Sequence, residues 1–240
     1  MMPLLDGLIQ GVSDLVFPPS CLSCAAPRSA DLQYFCQECQ ASLQLVDAED
    51  RCERCFQPLL GEDDLCRRCL NSHSPLCTMA LTVGYEPAAQ ALVRELKYGG
   101  KSYLAKGIAA LMLAQWVRLD WPVPDWIVPV PISFGHFLRR GFNQTRLIAE
   151  YLSDALHIPL WEGLGRRDQG WAQAGLNRAE RVRMRKDDFI VRLDAPPLDG
   201  KTVLIVDDVL TTGTTLRCCA SALRESYCCS PSGLVFAGPI

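Results

Sequence analysis

The chain has 240 residues, 49% of them hydrophobic and 21% charged, and 24 Lys and Arg against 27 Asp and Glu leave a net charge of −3. That composition excludes an intrinsically disordered chain, because it holds enough apolar surface to offset the entropy lost on ordering. It also excludes a generally basic nucleic-acid-binding surface, so any phosphate contact has to be built locally.

The first 75 residues carry 5 basic and 11 acidic side chains, against 19 and 16 in the remainder, so the two parts differ in kind. "MMPLLDGLIQGVSDLVFPP" lacks a basic start and is interrupted by Asp6, Gln10, Ser13 and Asp14, unlike a secretory signal, and the chain is read as cytosolic. Leu5, Leu8, Ile9, Val12, Leu15 and Val16 recur at helical spacing before Pro18-Pro19, which predicts a packing helix over residues 1–19. No apolar run approaches the ~18 residues of a membrane span.

Four CxxC pairs follow: Cys21/Cys24, Cys36/Cys39, Cys52/Cys55 and Cys66/Cys69. Each pair can grip one side of a tetrahedral ion from a tight knuckle, so eight thiolates suit two structural four-cysteine zinc sites over residues 20–72. Disulfides are the rival explanation, disfavoured in a reducing compartment, and a redox CxxC belongs beside a βαβ pattern that this segment lacks. Four pairs can share two ions in three ways, and the lowest loop-closure cost favours sequential pairing. His73 is set aside as a ligand because eight cysteines already satisfy two ions. Cys77, Cys218, Cys219, Cys228 and Cys229 do not share the spacing and are read as small buried residues or idle thiols.

After a linker at 70–78 the pattern alternates. "MALTVGY" reads as a strand, Pro87 opens a helix through Tyr98, 103–119 continues as helix, and "WIVPVPI" at 126–132 reads as a buried strand. A helix over 143–156, strands at 188–193 and 202–206, a helix at 214–225 and a last strand "GLVFAG" complete a parallel α/β domain over 77–240.

The stretch "VLIVDDVLTTGTT" carries the chemistry. In an open α/β sheet, ligands collect beyond the carboxyl ends of strands. Asp207 and Asp208 offer acceptors for the two hydroxyls of a ribose, directly or through hydrated Mg²⁺. Thr211, Thr212, Thr214 and Thr215 supply hydroxyls, Gly213 allows close backbone approach, and the following helix start favours an anion. A simple turn and cap would use the same residue types. Neither GxxxxGK[ST] nor GxGxxG is present.

These residues resemble the 5-phosphoribosyl-1-pyrophosphate (PRPP) motif of type I phosphoribosyltransferases, which extends the candidate set to Val206 through Thr215, with Val209 and Leu210 inside it. "LKYGGKSYLA", "VPVPISFGHFLRRGFNQ" and "QAGLNRAERVRM", together with the CxxC repeats, make the whole chain similar to the ComF family of competence and DNA-utilisation proteins. The resemblance implies a type I phosphoribosyltransferase fold joined to an N-terminal double zinc ribbon, binding PRPP with Mg²⁺. It places Arg139 and Arg140 on a pyrophosphate loop, and Arg178 and Arg181 on a lid over 166–186, with Lys97 and Tyr98 near the active face. If the protein turns over, Asp207 and Asp208 are the catalytic pair. The rival reading is a non-catalytic competence factor that keeps the pocket while its ribbon engages single-stranded DNA or a helicase.

Overall fold

The computed structural model describes residues 19–29, 32–59, 63–166, 188–192 and 196–240. The expected N-terminal helix and most of the lid, with Arg178 and Arg181, lie outside the described residues.

The cysteine-rich segment is a local structure used twice. Ser20 pairs with Pro27 and, one unit later, Arg51 pairs with Pro58. Each hairpin turns through a CxxC and is followed by a one-turn helix whose N-cap is itself a cysteine: Cys36 before α1 (Gln37–Ala41) and Cys66 before α2 (Arg67–Leu70). Four Cys sulfurs converge per unit, so sequential pairing holds: Cys21, Cys24, Cys36 and Cys39 form one group, and Cys52, Cys55, Cys66 and Cys69 the other.

The α/β domain follows as β1 (Met79–Gly84), α3 (Pro87–Tyr98), α4 (Leu104–Arg118), β2 (Trp126–Pro129), α5 (Phe134–Arg140), α6 (Gln144–Leu156), β3 (Leu164–Arg166), β4 (Phe189–Val191), β5 (Thr202–Val209), α7 (Thr214–Ser226) and β6 (Ser230–Gly238). The main sheet is parallel in the order β1-β6-β5-β2. Its central strands are apolar on both faces, as helices on either side require: Val203 to Val206 and Leu234 to Ala237 are all buried. Pro87 sits at the first position of α3, where its missing N–H costs nothing.

Three sequence expectations are corrected. The strand at 202–206 runs on to Val209, because the ladder to β6 continues with Asp207 opposite Val235 and Val209 opposite Ala237. Asp207 and Asp208 therefore belong to the strand, with backbones fixed by the sheet. The strand at 126–132 stops at Pro129, since prolines 129 and 131 cannot donate to a ladder. The chain instead enters α5, capped by Ser133, whose Oγ accepts from the His136 N–H at 3.4 Å, and closed by Gly141 at φ 78°, a left-handed conformation open to glycine. The strand near 188–193 pairs antiparallel with β3 in a separate two-stranded sheet.

The ribbon docks on the domain through its first cysteine unit and the segment that joins the two units. Leu45 bridges Val83, the Val46 N–H donates to the Thr82 carbonyl at 2.9 Å, and Tyr34 stacks on Tyr103 at 5.9 Å. Gln115 is fully buried on α4 and donates from Nε2 to the carbonyls of Val46 (2.7 Å) and Leu81 (3.1 Å), tying the segment between the cysteine units to the sheet. Gln115→Met keeps the volume but leaves the Val46 and Leu81 carbonyls without this donor, so we expect it to cost about 1–3 kcal/mol, read as a lower urea midpoint.

Candidate ribose-phosphate site and zinc centres

Each cysteine group has the dimensions of a zinc site. The four sulfurs of a group lie within 4.8 Å of one another, with Cys24 Sγ 3.7 Å from Cys36 Sγ and Cys55 Sγ 3.6 Å from Cys66 Sγ. Tetrahedral Zn–S bonds of ~2.3 Å place sulfurs about 3.8 Å apart. In each group one thiol is prepared to ionise. Burial opposes ionisation of Cys21, yet backbone N–H groups of Cys24, Cys36 and Ser23 outweigh it and bring the thiol down to about 6. Cys52 likewise falls to about 7 against burial, through the N–H groups of Cys66, Cys55 and Arg54. Cys39, pushed up to about 12 by burial and by neighbouring thiols, ionises only when a cation neutralises the cluster.

At the carboxyl end of β5, Asp207 and Asp208 are 8% and 3% exposed. The Asp207 carboxylate accepts from the Asp208 N–H at 2.9 Å, and Asp208 pairs with Lys97 from the last turn of α3 at 2.6 Å. Burial first, then the charge of Asp208, raises Asp207 well above the usual carboxylate range.

On one side of this pair the chain forms the loop before α7. Gly213 has φ 70°, a left-handed conformation that calls for glycine, and a Cβ there would meet the Arg217 guanidinium at 3.0 Å and press on that side chain. Thr212 Oγ1 and Thr214 Oγ1 are 2.8 Å apart, and the Thr214 N–H points at Thr212 Oγ1 at 3.4 Å. Among the described residues, the backbone N–H groups of Thr211, Thr212 and Gly213 have no protein acceptor. Such a run of donors at a helix start suits an anion.

On the other side, Lys97, Tyr98, His136, Arg139, Arg140 and Phe142 line a cavity of about 210 Å³. The cavity sits where it does because Asn143 and Thr145, at the start of α6, both donate to the Val130 carbonyl just beyond β2 (3.1 and 2.6 Å), which pins the end of α5 against the sheet. The Arg140 guanidinium lies over Tyr98 at 5.0 Å, donates to Gln144 Oε1 (2.9 Å) and Tyr98 Oη (3.2 Å), and keeps a buried Nε–H with no acceptor. Arg139 is exposed and turns back to the Gly135 carbonyl. His136 Nδ1 is 2.9 Å from Ser133 Oγ. Burial first, then Arg140, Arg139, Arg166 and Lys97, holds the His136 pKa below the ordinary imidazole value.

The structure thus brings Asp207, Asp208, Lys97, Tyr98 and Arg140 into one region, with Thr211 to Thr215 on its flank. Sequence reading passed over His136 and Arg217. The signal for His136 was its place four residues before Arg140, but it becomes visible only once α5 is recognised as a helix.

A parallel sheet with an acidic pair and a hydroxyl-rich loop at the end of its central strand, carrying two four-cysteine ribbons, is the architecture of a phosphoribosyltransferase-type domain with a double zinc ribbon. Family models agree: a double zinc ribbon domain matches residues 12–70, and a phosphoribosyl transferase domain matches residues 146–235. The DNA utilization protein YhgH of Escherichia coli K12 is 30% identical over 218 residues, covering 88% of this chain and 93% of that protein. Competence protein F of Haemophilus influenzae is 26% identical, covering 85% and 90%. The chain belongs to the ComF family, with these relatives. Among solved structures, yeast adenine phosphoribosyltransferase aligns at 17% identity over 58% of this chain and 72% of that one, with a TM-score of 0.36. No described helix is long and apolar enough to cross a membrane.

Proposed function

We propose that the α/β domain binds PRPP with Mg²⁺ and serves a process of DNA uptake or utilisation. One observation carries this reading: the buried Asp207–Asp208 pair is joined by the 2.6 Å Lys97 ion pair to the Lys97/His136/Arg140 cavity and runs on along the chain into the Thr211–Thr215 loop, two anion-seeking surfaces. A sugar with a phosphate at one end and a pyrophosphate at the other has the matching charge order. The carboxylates are hard oxygen donors that suit a hydrated Mg²⁺ and ribose hydroxyls. Mg²⁺ would supply charge neutralisation on the pyrophosphate.

Transfer from PRPP would break the bond from C1 to the pyrophosphate oxygen and form one from C1 to an acceptor that loses a proton. Lys97 and Arg140 would hold the pyrophosphate as its charge grows, and Arg178 and Arg181 of the lid would exclude water. A cavity of about 510 Å³, walled in part by Phe137, Phe142 and Leu164 and sharing Phe142 with the Arg140 cavity, would have room for the acceptor. The relatives' names, DNA utilization protein and competence protein, favour a second reading in which the pocket senses PRPP while the ribbon engages single-stranded DNA or a helicase.

Calorimetric titration of the zinc-replete protein with PRPP and Mg²⁺ tests the shared premise. Saturable binding that disappears in the Asp207→Asn/Asp208→Asn double variant is expected, and pyrophosphate release on adding acceptors then separates transferase from sensor. A folded wild type that takes up no PRPP would exclude both.

A further inference from the structure

The second zinc centre and the Thr211–Thr215 loop face each other across one cavity of about 380 Å³. Cys55, Cys66 and Arg68 line it from the ribbon, and Thr212, Gly213 and Arg217 from the domain, with no carboxylate among the described residues of its wall. Arg217 stands in the first turn of α7 and holds the loop at three points. Its Nη2 donates to the Thr212 carbonyl at 2.8 Å and reaches Thr214 Oγ1 at 3.3 Å, and its backbone N–H donates to the Gly213 carbonyl at 3.1 Å. These are the residues whose conformation aims the free N–H groups.

None of those acceptors carries a charge. Burial first and then the neighbouring charge of Arg68 work against the Arg217 cation, and Cys218 beside it on α7, followed by Cys55 and Cys69 of the second cysteine group, work in its favour. Four thiolates around a divalent ion carry a net charge of about −2, spread over the sulfurs. The loaded zinc centre thus sets a negative charge across the cavity from the arginine that shapes the loop. Fields across a partly buried cavity are screened far less than at an open surface.

We infer that Arg217 is a positioning residue that couples the Thr211–Thr215 loop to the second zinc centre, making the metal-loaded ribbon part of the ribose-phosphate site. The inference rests on the reading of that loop as a phosphate cradle. The plainer alternative is that Arg217 only braces its own helix start and the ribbon is an independent appendage. Coupling between two sites is reciprocal, so ligand at the loop must also be felt at the metal.

That reciprocity supplies the test. Cobalt(II) replaces zinc in the purified full-length protein, and ribose 5-phosphate is titrated while both heat and the thiolate-to-cobalt absorption are followed. The expected result is a change in cobalt absorption that saturates with the calorimetric midpoint. Arg217→Gln should bind about tenfold more weakly and lose the cobalt response, and Arg217→Lys should recover part of both. Cys66→Ser/Cys69→Ser, which empties the second centre, should weaken binding to a similar degree, whereas Cys36→Ser/Cys39→Ser should not. Calorimetric binding with a silent cobalt spectrum, or an unchanged affinity in Arg217→Gln, overturns the coupling and leaves the phosphate cradle standing. Absence of any heat from ribose 5-phosphate overturns the cradle and the coupling together.

Discussion

Asp207→Asn is expected to make the ligand-free protein more stable and to abolish its binding of Mg²⁺-PRPP. Asp207 is held at the end of a central strand by ladder bonds on both sides of its position, so it cannot escape to water. Its charge is opposed by burial and by Asp208, and one Asp208 N–H at 2.9 Å is modest compensation. The folded-state pKa therefore lies above the unfolded one. The stabilising contribution is fully present below about pH 4 and is lost as pH rises through the folded value. At neutral pH the wild type carries the penalty and the Asn variant does not, so the urea midpoint of Asp207→Asn should exceed that of wild type. The gap should close towards pH 4. A gain of about 1 kcal/mol, or about 2–4 °C in Tm, is the expected size for a strained functional position in a chain of this length.

Asp208→Asn should do the opposite, because it strands the Lys97 ammonium, 17% exposed, without its partner at 2.6 Å. A loss of about 2–3 kcal/mol is expected, below the full cost of breaking a sealed pair because Lys97 retains some water. With Mg²⁺ and PRPP present, ligand linkage stabilises only the wild type, whose melting temperature then moves above that of Asp207→Asn and further above that of Asp208→Asn. Equal stability of the two Asn variants across the pH range would contradict this assignment of roles.

Arg140→Ala is expected to weaken binding of inorganic pyrophosphate by roughly 30- to 150-fold, the equivalent of about 2–3 kcal/mol. Arg140 is already held by Tyr98 and Gln144, and its buried Nε–H awaits an acceptor, so little ordering entropy opposes its use on binding. Arg139→Ala should cost far less, since that side chain is exposed. His136 adds a pH dependence. In the free protein its pKa is depressed, so its contribution to stability is present above about pH 6.5 and is lost as pH falls. A bound pyrophosphate offsets the surrounding cations and favours the imidazolium, so affinity should rise as pH falls, more steeply in wild type than in His136→Gln. The comparison cancels the ligand's own titration. Calorimetry in buffers of different ionisation enthalpy would show the extra proton taken up by wild type, and equal uptake by the variant would rule His136 out.

The parts of this protein legible in the sequence are those whose geometry is set within a few residues. A CxxC closes its own knuckle, so eight cysteines announced two metal sites, and short loops gave the correct pairing. Gly213 between threonines after an apolar strand announced the loop, because a left-handed glycine and a helix start are local facts. The alternation of strand and helix announced the parallel sheet. Strand ends were less legible: whether Asp207 to Val209 still belong to β5 depends on β6, which continues the ladder beside them.

Contacts between distant segments were settled only by tertiary structure. The ion pair of Lys97 with Asp208 exists because α3 and β5 end on the same side of a parallel sheet. His136 became a site residue when Asn143 and Thr145 anchored the end of α5 through the Val130 carbonyl. Arg217 reads in sequence as one more basic residue of an amphipathic helix, and only the docked ribbon sets it opposite three zinc-binding cysteines. The sequence determined which chemical groups the protein owns and the local turns that present them. Their pairing across the fold was decided by sheet order and ribbon docking, because a charge acts on whatever the packed chain brings within a few ångströms of it, regardless of distance along the chain.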